Sequence, residues 1–130
     1  MSEANVQLVR RAYAAIASGD LRLVEEFLAP DVRWHGGDPG AEDGCQNREQ
    51  ALARMRTRAR RQMGKLVEVI DAGESVVVVM QPRREGQEIP PLRANVTTFR
   101  NGRVVEMIAF DSPEAALAHV GHSARPERCD

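Results

Sequence analysis

The sequence predicts an α+β fold, a cone-shaped, curved antiparallel or mixed β-sheet wrapped over N-terminal helices. Three observations carry this. Apolar residues recur at helical spacing near the start of the chain, the period falls to two from Lys65 onward, and most of the turn signals beyond that point are short enough to join antiparallel strands.

Ser2 is placed to cap a first helix whose Val6, Val9, Tyr13 and Ile16 form one stripe, widened by Leu8, Ala12 and Ala15, and Gly19 ends it. Asp20 is the expected cap of a shorter helix with Leu21, Val24, Phe27 and Leu28 inward, stopped by Ala29-Pro30. Asp31 to His35 alternates as a half-buried strand, Val32 and Trp34 on one side and Arg33 and His35 on the other. The glycine-rich stretch 36–46 is a loop. Asn47 and Gln50 suit the start of a third helix, with Ala51, Leu52, Met55, Ala59 and Met63 as its apolar positions.

Four strands follow, KLVEVID, SVVVVMQ, LRANVTTFR and RVVEMIAFD, joined at Ala72-Gly73-Glu74, through a longer polar connection over 82–91, and at Asn101-Gly102. Val76 to Val79 is apolar on both faces, so that strand is covered on both. Uncovered, the convex side of a bent sheet would expose valine and isoleucine, and a homodimer through that face is expected. Asp111-Ser112-Pro113-Glu114 opens a last short helix, in which Asp111 and Glu114 fit a capping box and Gly121 is the stop. Residues 1–121 read as one domain and 122–130 as a mobile tail.

A length of 130 residues with 42% hydrophobic content suffices for one core. With 18 basic and 19 acidic side chains, no overall field favours nucleic acid or an anionic membrane. The start lacks a signal peptide's apolar centre and no apolar run approaches the roughly 20 residues that span a bilayer, so a soluble, cytoplasmic protein is expected. Cys45 and Cys129 read as free thiols, in neither a disulfide framework nor metal-ligand spacing.

Trp34, the single tryptophan, is expected both to pack in the core and to line the cone. His35 points the other way and reads as a surface or interface residue. The arginines at 48, 54, 56, 58, 60 and 61 spread around the third helix as a solvated face, and no interleaved aromatics mark a nucleic-acid surface. His119 and His122 read as surface residues, without the partners that a metal site requires.

Several segments together resemble the nuclear transport factor 2-like superfamily. They are the early Tyr13 followed by "ASGDL", then "FLAPDVRWHG", the helix after "GCQNREQAL", and the closing hairpin "FRNGRVVEMIAFD". The likeness is strongest to the SnoaL-like branch, with its polyketide cyclases and relation to ketosteroid isomerases, and it runs from about Glu3 to Gly121. It implies a cystatin-like α+β roll with an open mouth. Ketosteroid isomerase is itself an illustration of a carboxylic acid held neutral. Its base position falls on Gly36, so the base is missing, and its oxyanion acid falls on Asn95, which can still donate a hydrogen bond. In the cyclases an aromatic residue is followed four positions later by an acid-base aspartate; here Met107 and Asp111 stand there. The epoxide hydrolase network of aspartate, arginine and aspartate is imitated by Arg93, Asp111 and Asp38 only if the loop folds inward.

The turn at 100–102 leaves two registers open. A two-residue turn pairs Asn95 with Ile108, and a three-residue turn with Gly102 in a bulge pairs Asn95 with Met107. The resemblance implies the second, which puts Arg93, Asn95, Thr97, Phe99, Val105, Met107, Ala109 and Asp111 on the cavity side. The resulting expectation is an apolar pocket for a small organic ligand, lined by Trp34, Tyr13, Arg93, Thr97, Phe99, Met107 and Met55. No cofactor or metal is expected. If the chain is catalytic, the chemistry is cofactor-free proton transfer (isomerisation, aldol-type cyclisation or hydrolysis), with Asp111 as acid and base and Asn95 as oxyanion donor. The alternative is a non-catalytic ligand-binding or dimerisation module.

Overall fold

A computed structural model of the chain describes residues 3–36, 44–62, 65–81 and 92–121, with side chains described outside 58–62. Ser2, Asp38, Met63, the connection over 82–91 and the tail with His122 and Cys129 lie outside the described residues, as do the side chains of Ala59 and of the arginines at 58, 60 and 61.

Helix α1, Glu3–Ala17, buries Val6, Val9 and Ile16 from the expected stripe, and Gly19 follows it at φ 85°, a left-handed conformation that glycine adopts without penalty. Helix α2 is shorter than its apolar stripe, Arg22–Phe27. Asp20 Oδ1 accepts from the Arg22 backbone N–H at 3.0 Å, but the residue at the cap position is Leu21. Leu28, read as the last inward residue of that helix, instead begins strand β1, Leu28–His35. Pro30 is tolerated inside β1 because the strand lies at a sheet edge and its pairing shifts register between Leu28 and Arg33.

Helix α3, Arg48–Gln62, starts as expected: Asn47 Oδ1 accepts from the Gln50 N–H at 2.9 Å, while the Gln50 side chain accepts from the Gln46 N–H at 2.7 Å. Strands β2 (Lys65–Ala72), β3 (Ser75–Gln81), β4 (Arg93–Arg100) and β5 (Arg103–Phe110) fall within a residue of the period-two segments. The sheet order is β1-β5-β4-β3-β2, antiparallel throughout except for the parallel pairing of β1 with β5.

The sheet has a core on each side. On the inner face Val76, Val78, Phe99, Val104 and Met107 pack with α1, α2 and α3 through Val6, Val9, Ile16, Val24 and Leu52. On the outer face Val77, Val79, Ala94 and Val96 pack under helix α4, Pro113–His119, through Ala116. Each face of the run Val76 to Val79 thus has its own cover, as the two-faced apolar pattern predicts. The cover over β3 and β4 on the outer side belongs to the same chain. Among the described residues the exposed large hydrophobics are Val67 and Leu92.

Two local expectations are corrected. Helix α4 is capped by Ser112, whose hydroxyl accepts from the Ala115 N–H at 3.2 Å, and not by Asp111. Ser112 has the extended backbone that a cap residue needs, so the capping box read one residue early. The 100–102 turn follows neither expected register. Asn101 and Gly102 make a two-residue turn with φ 55° and 79°, joining the pair Arg100 and Arg103, and a bulge then skips Val105, so that Asn95 pairs with Ala109.

Candidate functional site

The bulge decides which side chains look inward. Without it Asn95 would oppose Ile108 and the faces of β5 would reverse; with it Asn95, Thr97, Met107 and Ala109 share the inner face, as the resemblance implied. Val105 is the exception. As the skipped residue it turns to the outer face, and Val104 takes its place in the inner core.

The pairing lays the inner face out in rows. One row runs Trp34, Met107, Thr97, Val76 and Asp71 across all five strands. The next runs Ala109, Asn95, Val78 and Val69, and one step beyond the last β1 pair, His35 with Ile108, brings Gly36 to its β1 end. Arg93 lies on the row after that, beside Met80.

Tyr13 reaches the second row from α1. Asn95 Nδ2 donates to the Tyr13 hydroxyl at 3.1 Å, and Thr97 Oγ1 donates to Asn95 Oδ1 at 2.7 Å. Asn95 and Thr97 are both buried, so their polar groups depend on these bonds. Trp34 is half-buried against the inner core, and the Arg54 guanidinium of α3 stacks over its ring with 5.3 Å to the centroid. Met55, Phe99 and Met107 are buried in the same core.

Arg93 and Asp111 stand apart from this group. Arg93 Nη2 donates to Asp111 Oδ1 at 3.1 Å, and the Asp111 side chain is 98% exposed. The structure therefore brings together Tyr13, Asn95, Thr97, Met107 and Trp34, and leaves Asp111 on the solvent side of its strand end.

Two features escaped the sequence. Arg54 was one of six arginines on a face read as solvated, and nothing in the spacing marks it as the one stacked on Trp34. His35, read as a surface or interface residue, is buried, with Nε2 2.9 Å from Glu106 Oε2. Alternation placed it on the outer side correctly, and β5 supplies the carboxylate beside its ring.

A groove of about 610 Å³ opens elsewhere, on the outer face, lined by Asp31, Arg33, Arg100, Arg103, Val105 and Glu106 among others. Among the described residues no group of three or more His, Cys, Asp or Glu is placed to hold a metal ion, and no helix is long and apolar enough to cross a membrane.

A curved mixed sheet cupped over N-terminal helices, with a buried polar chain on its inner face, defines an α+β roll of the nuclear transport factor 2-like type. The model of the SnoaL-like domain family matches residues 9–107, and the chain belongs to that family. Among solved structures it is similar to Bal32a from a soil-derived mobile gene cassette, at 23% identity over 92% of this chain and 97% of that one, with a TM-score of 0.72. It is also similar to an NTF2-like protein of unknown function from Burkholderia pseudomallei, at 28% identity over 92% and 98%, TM-score 0.68. A steroid delta-isomerase from Pseudomonas aeruginosa aligns at 21% identity over 93% and 89%, TM-score 0.67. A search of curated proteins finds no match.

Proposed function

We propose that the chain binds a small organic molecule on the inner face of its sheet, beside the hydrogen-bonded chain of Thr97, Asn95 and Tyr13. The observation that carries this is the direction of the buried chain, Thr97 to Asn95 to Tyr13. Each member donates a hydrogen bond to the next, so the Tyr13 oxygen accepts one at the end of a run that polarises its hydroxyl. Asn95 is then a positioning residue acting through Tyr13, in place of the direct oxyanion donor that the sequence suggested.

The packing supports this location. Helix α1 packs on β2 and β3 and α3 on β1, while the inner-face residues of β4 and β5 include the small Ala109 and Thr97. Trp34 and Met107 add apolar surface to that face.

A thermal-shift screen of aromatic and alicyclic ketones tests the proposal. A compound at 100 times its dissociation constant stabilises the fold by about 2.7 kcal/mol. The Tyr13→Phe variant should lose that shift; hits that it leaves unchanged would remove the reading.

Proton-transfer catalysis is the second reading. It is favoured by the place of Asp111, two residues beyond Ala109 at the end of β5 and tied to Arg93, which lies on the row next to Asn95. It requires the Asp111 carboxylate to turn in from solvent when a ligand is bound.

A further inference from the structure

The groove at the β1–β5 edge lies on the opposite face of the sheet from the Tyr13 chain. Arg33 enters it from β1, and Arg100 and Arg103 enter it from the two sides of the hairpin turn. Arg100 and Arg103 are paired directly across the strands, an arrangement in which like charges repel. Among the described residues none of the three forms an ion pair with a carboxylate.

Two carboxylates share the groove, Glu106 directly opposite Arg33 in the sheet, and against the three arginines they leave one net positive charge. Glu106 is engaged by the buried ring of His35, and Asp31 is exposed two positions before Arg33 on the edge strand. The scaffold is fixed, since the two-residue turn at Asn101 and Gly102 sets the spacing of the hairpin arginines and the bulge turns Val105 outward to form an apolar wall.

We propose that this groove binds a metabolite-sized organic oxyanion, a phosphate ester or a polycarboxylate, through Arg33, Arg100 and Arg103. Guanidinium forks match the planar or tetrahedral oxygens of such groups and form charge-assisted bonds with them. An anion between Arg100 and Arg103 relieves their repulsion. The groove is open to solvent, with room for a metabolite-sized molecule to lie along it. Asp31 is placed to accept hydrogen bonds from hydroxyls on the same ligand.

Citrate and glucose 6-phosphate, titrated separately into the full chain by calorimetry at about 150 mM NaCl, test the proposal and tell the carboxylate source from the phosphate. At least one should saturate a single site per chain. Its affinity should fall roughly tenfold or more in Arg33→Gln and in the double variant Arg100→Gln/Arg103→Gln. Because all three arginines are exposed, both variants should melt as the unaltered chain does. Tyr13→Phe should leave the titration unchanged, which separates this groove from the inner face. The proposal falls if neither probe saturates or if the variants bind equally well. It also falls if light scattering shows two associated chains that the double variant separates, since the arginines would then serve a contact between copies.

Discussion

Asn95 and Tyr13 are 82 residues apart and share one hydrogen bond, Nδ2 to hydroxyl at 3.1 Å, which ties a central strand to the first helix. Thr97 holds the amide from the other side. The Thr97→Val variant leaves Asn95 Oδ1 buried without this donor, and a loss of about 1–3 kcal/mol in denaturant unfolding is expected. Combining it with Asn95→Leu, which removes the acceptor as well, should cost clearly less than the two single losses added together.

Ser112 and Asp111 are adjacent, and only the serine caps α4. Ser112→Ala should lose about 0.5–2 kcal/mol. Asp111→Ala and Asp111→Asn, which affect only an exposed ion pair, should each stay within about 1 kcal/mol of the unaltered chain in the same unfolding measurement. If a substrate is found, Asp111→Asn separates the second reading from the first: a fall of roughly a hundredfold in turnover with binding intact assigns the acid-base role, and unchanged turnover denies it.

The strands were legible because period two persists over segments that begin and end in clear turn residues. Their register was not. Val104 and Val105 suit either face equally, so the choice of which one the bulge skips lies in the packing of the whole sheet. The inner-face set was nonetheless read nearly right, because the observed pairing of Asn95 with Ala109 differs from the expected one by two residues, which preserves the face.

The candidate site was legible as a set of residues and illegible as a chain of donors. Tyr13, Asn95 and Thr97 could be named from the sequence, but the hydrogen bonds between them depend on where α1 lies over the sheet. Leu28 was misread for a local reason: it continues the apolar stripe of α2, and only pairing with Val104 shows it to be strand. Asp111 and Ser112 are equally good cap formers, and the backbone angles, invisible in sequence, chose between them.

Glu106→Ala should destabilise the chain by about 1–3 kcal/mol, because it leaves the buried His35 ring without the carboxylate beside it. Glu106→Gln keeps an acceptor at the same reach and should lose less. Thermal unfolding of the two side by side checks the order.

Val77→Ala and Val78→Ala probe the two covers of β3. Both side chains are fully buried, one beneath α4 and the other in the inner core, so each substitution should cost about 1.5–3 kcal/mol. A nearly neutral Val77→Ala would show that α4 does not stay on the sheet in solution.

Gly36→Asp should be tolerated within about 0.5 kcal/mol, since a Cβ there meets nothing within 4 Å and the backbone is not in the left-handed region. The substitution puts a carboxylate at the β1 end of the row that holds Ala109 and Asn95. Circular dichroism and the melting temperature check that the fold survives it.

The parallel edge formed by β1 and β5 also sets an order of events during synthesis. His35 and Glu106 meet across 71 positions, and among the described strands β5 alone lies beside β1 in the sheet. As the chain leaves the ribosome, the first strand emerges long before its partner, while β2, β3, β4 and β5 can join with their sequence neighbours in turn. Docking of β1 is therefore the most non-local of the strand pairings, a class of contact that forms slowly. Until the final hairpin is complete, Trp34 has its backbone bonds to Cys45 and the cover of α3, and the rest of the first strand waits for its neighbour in the sheet.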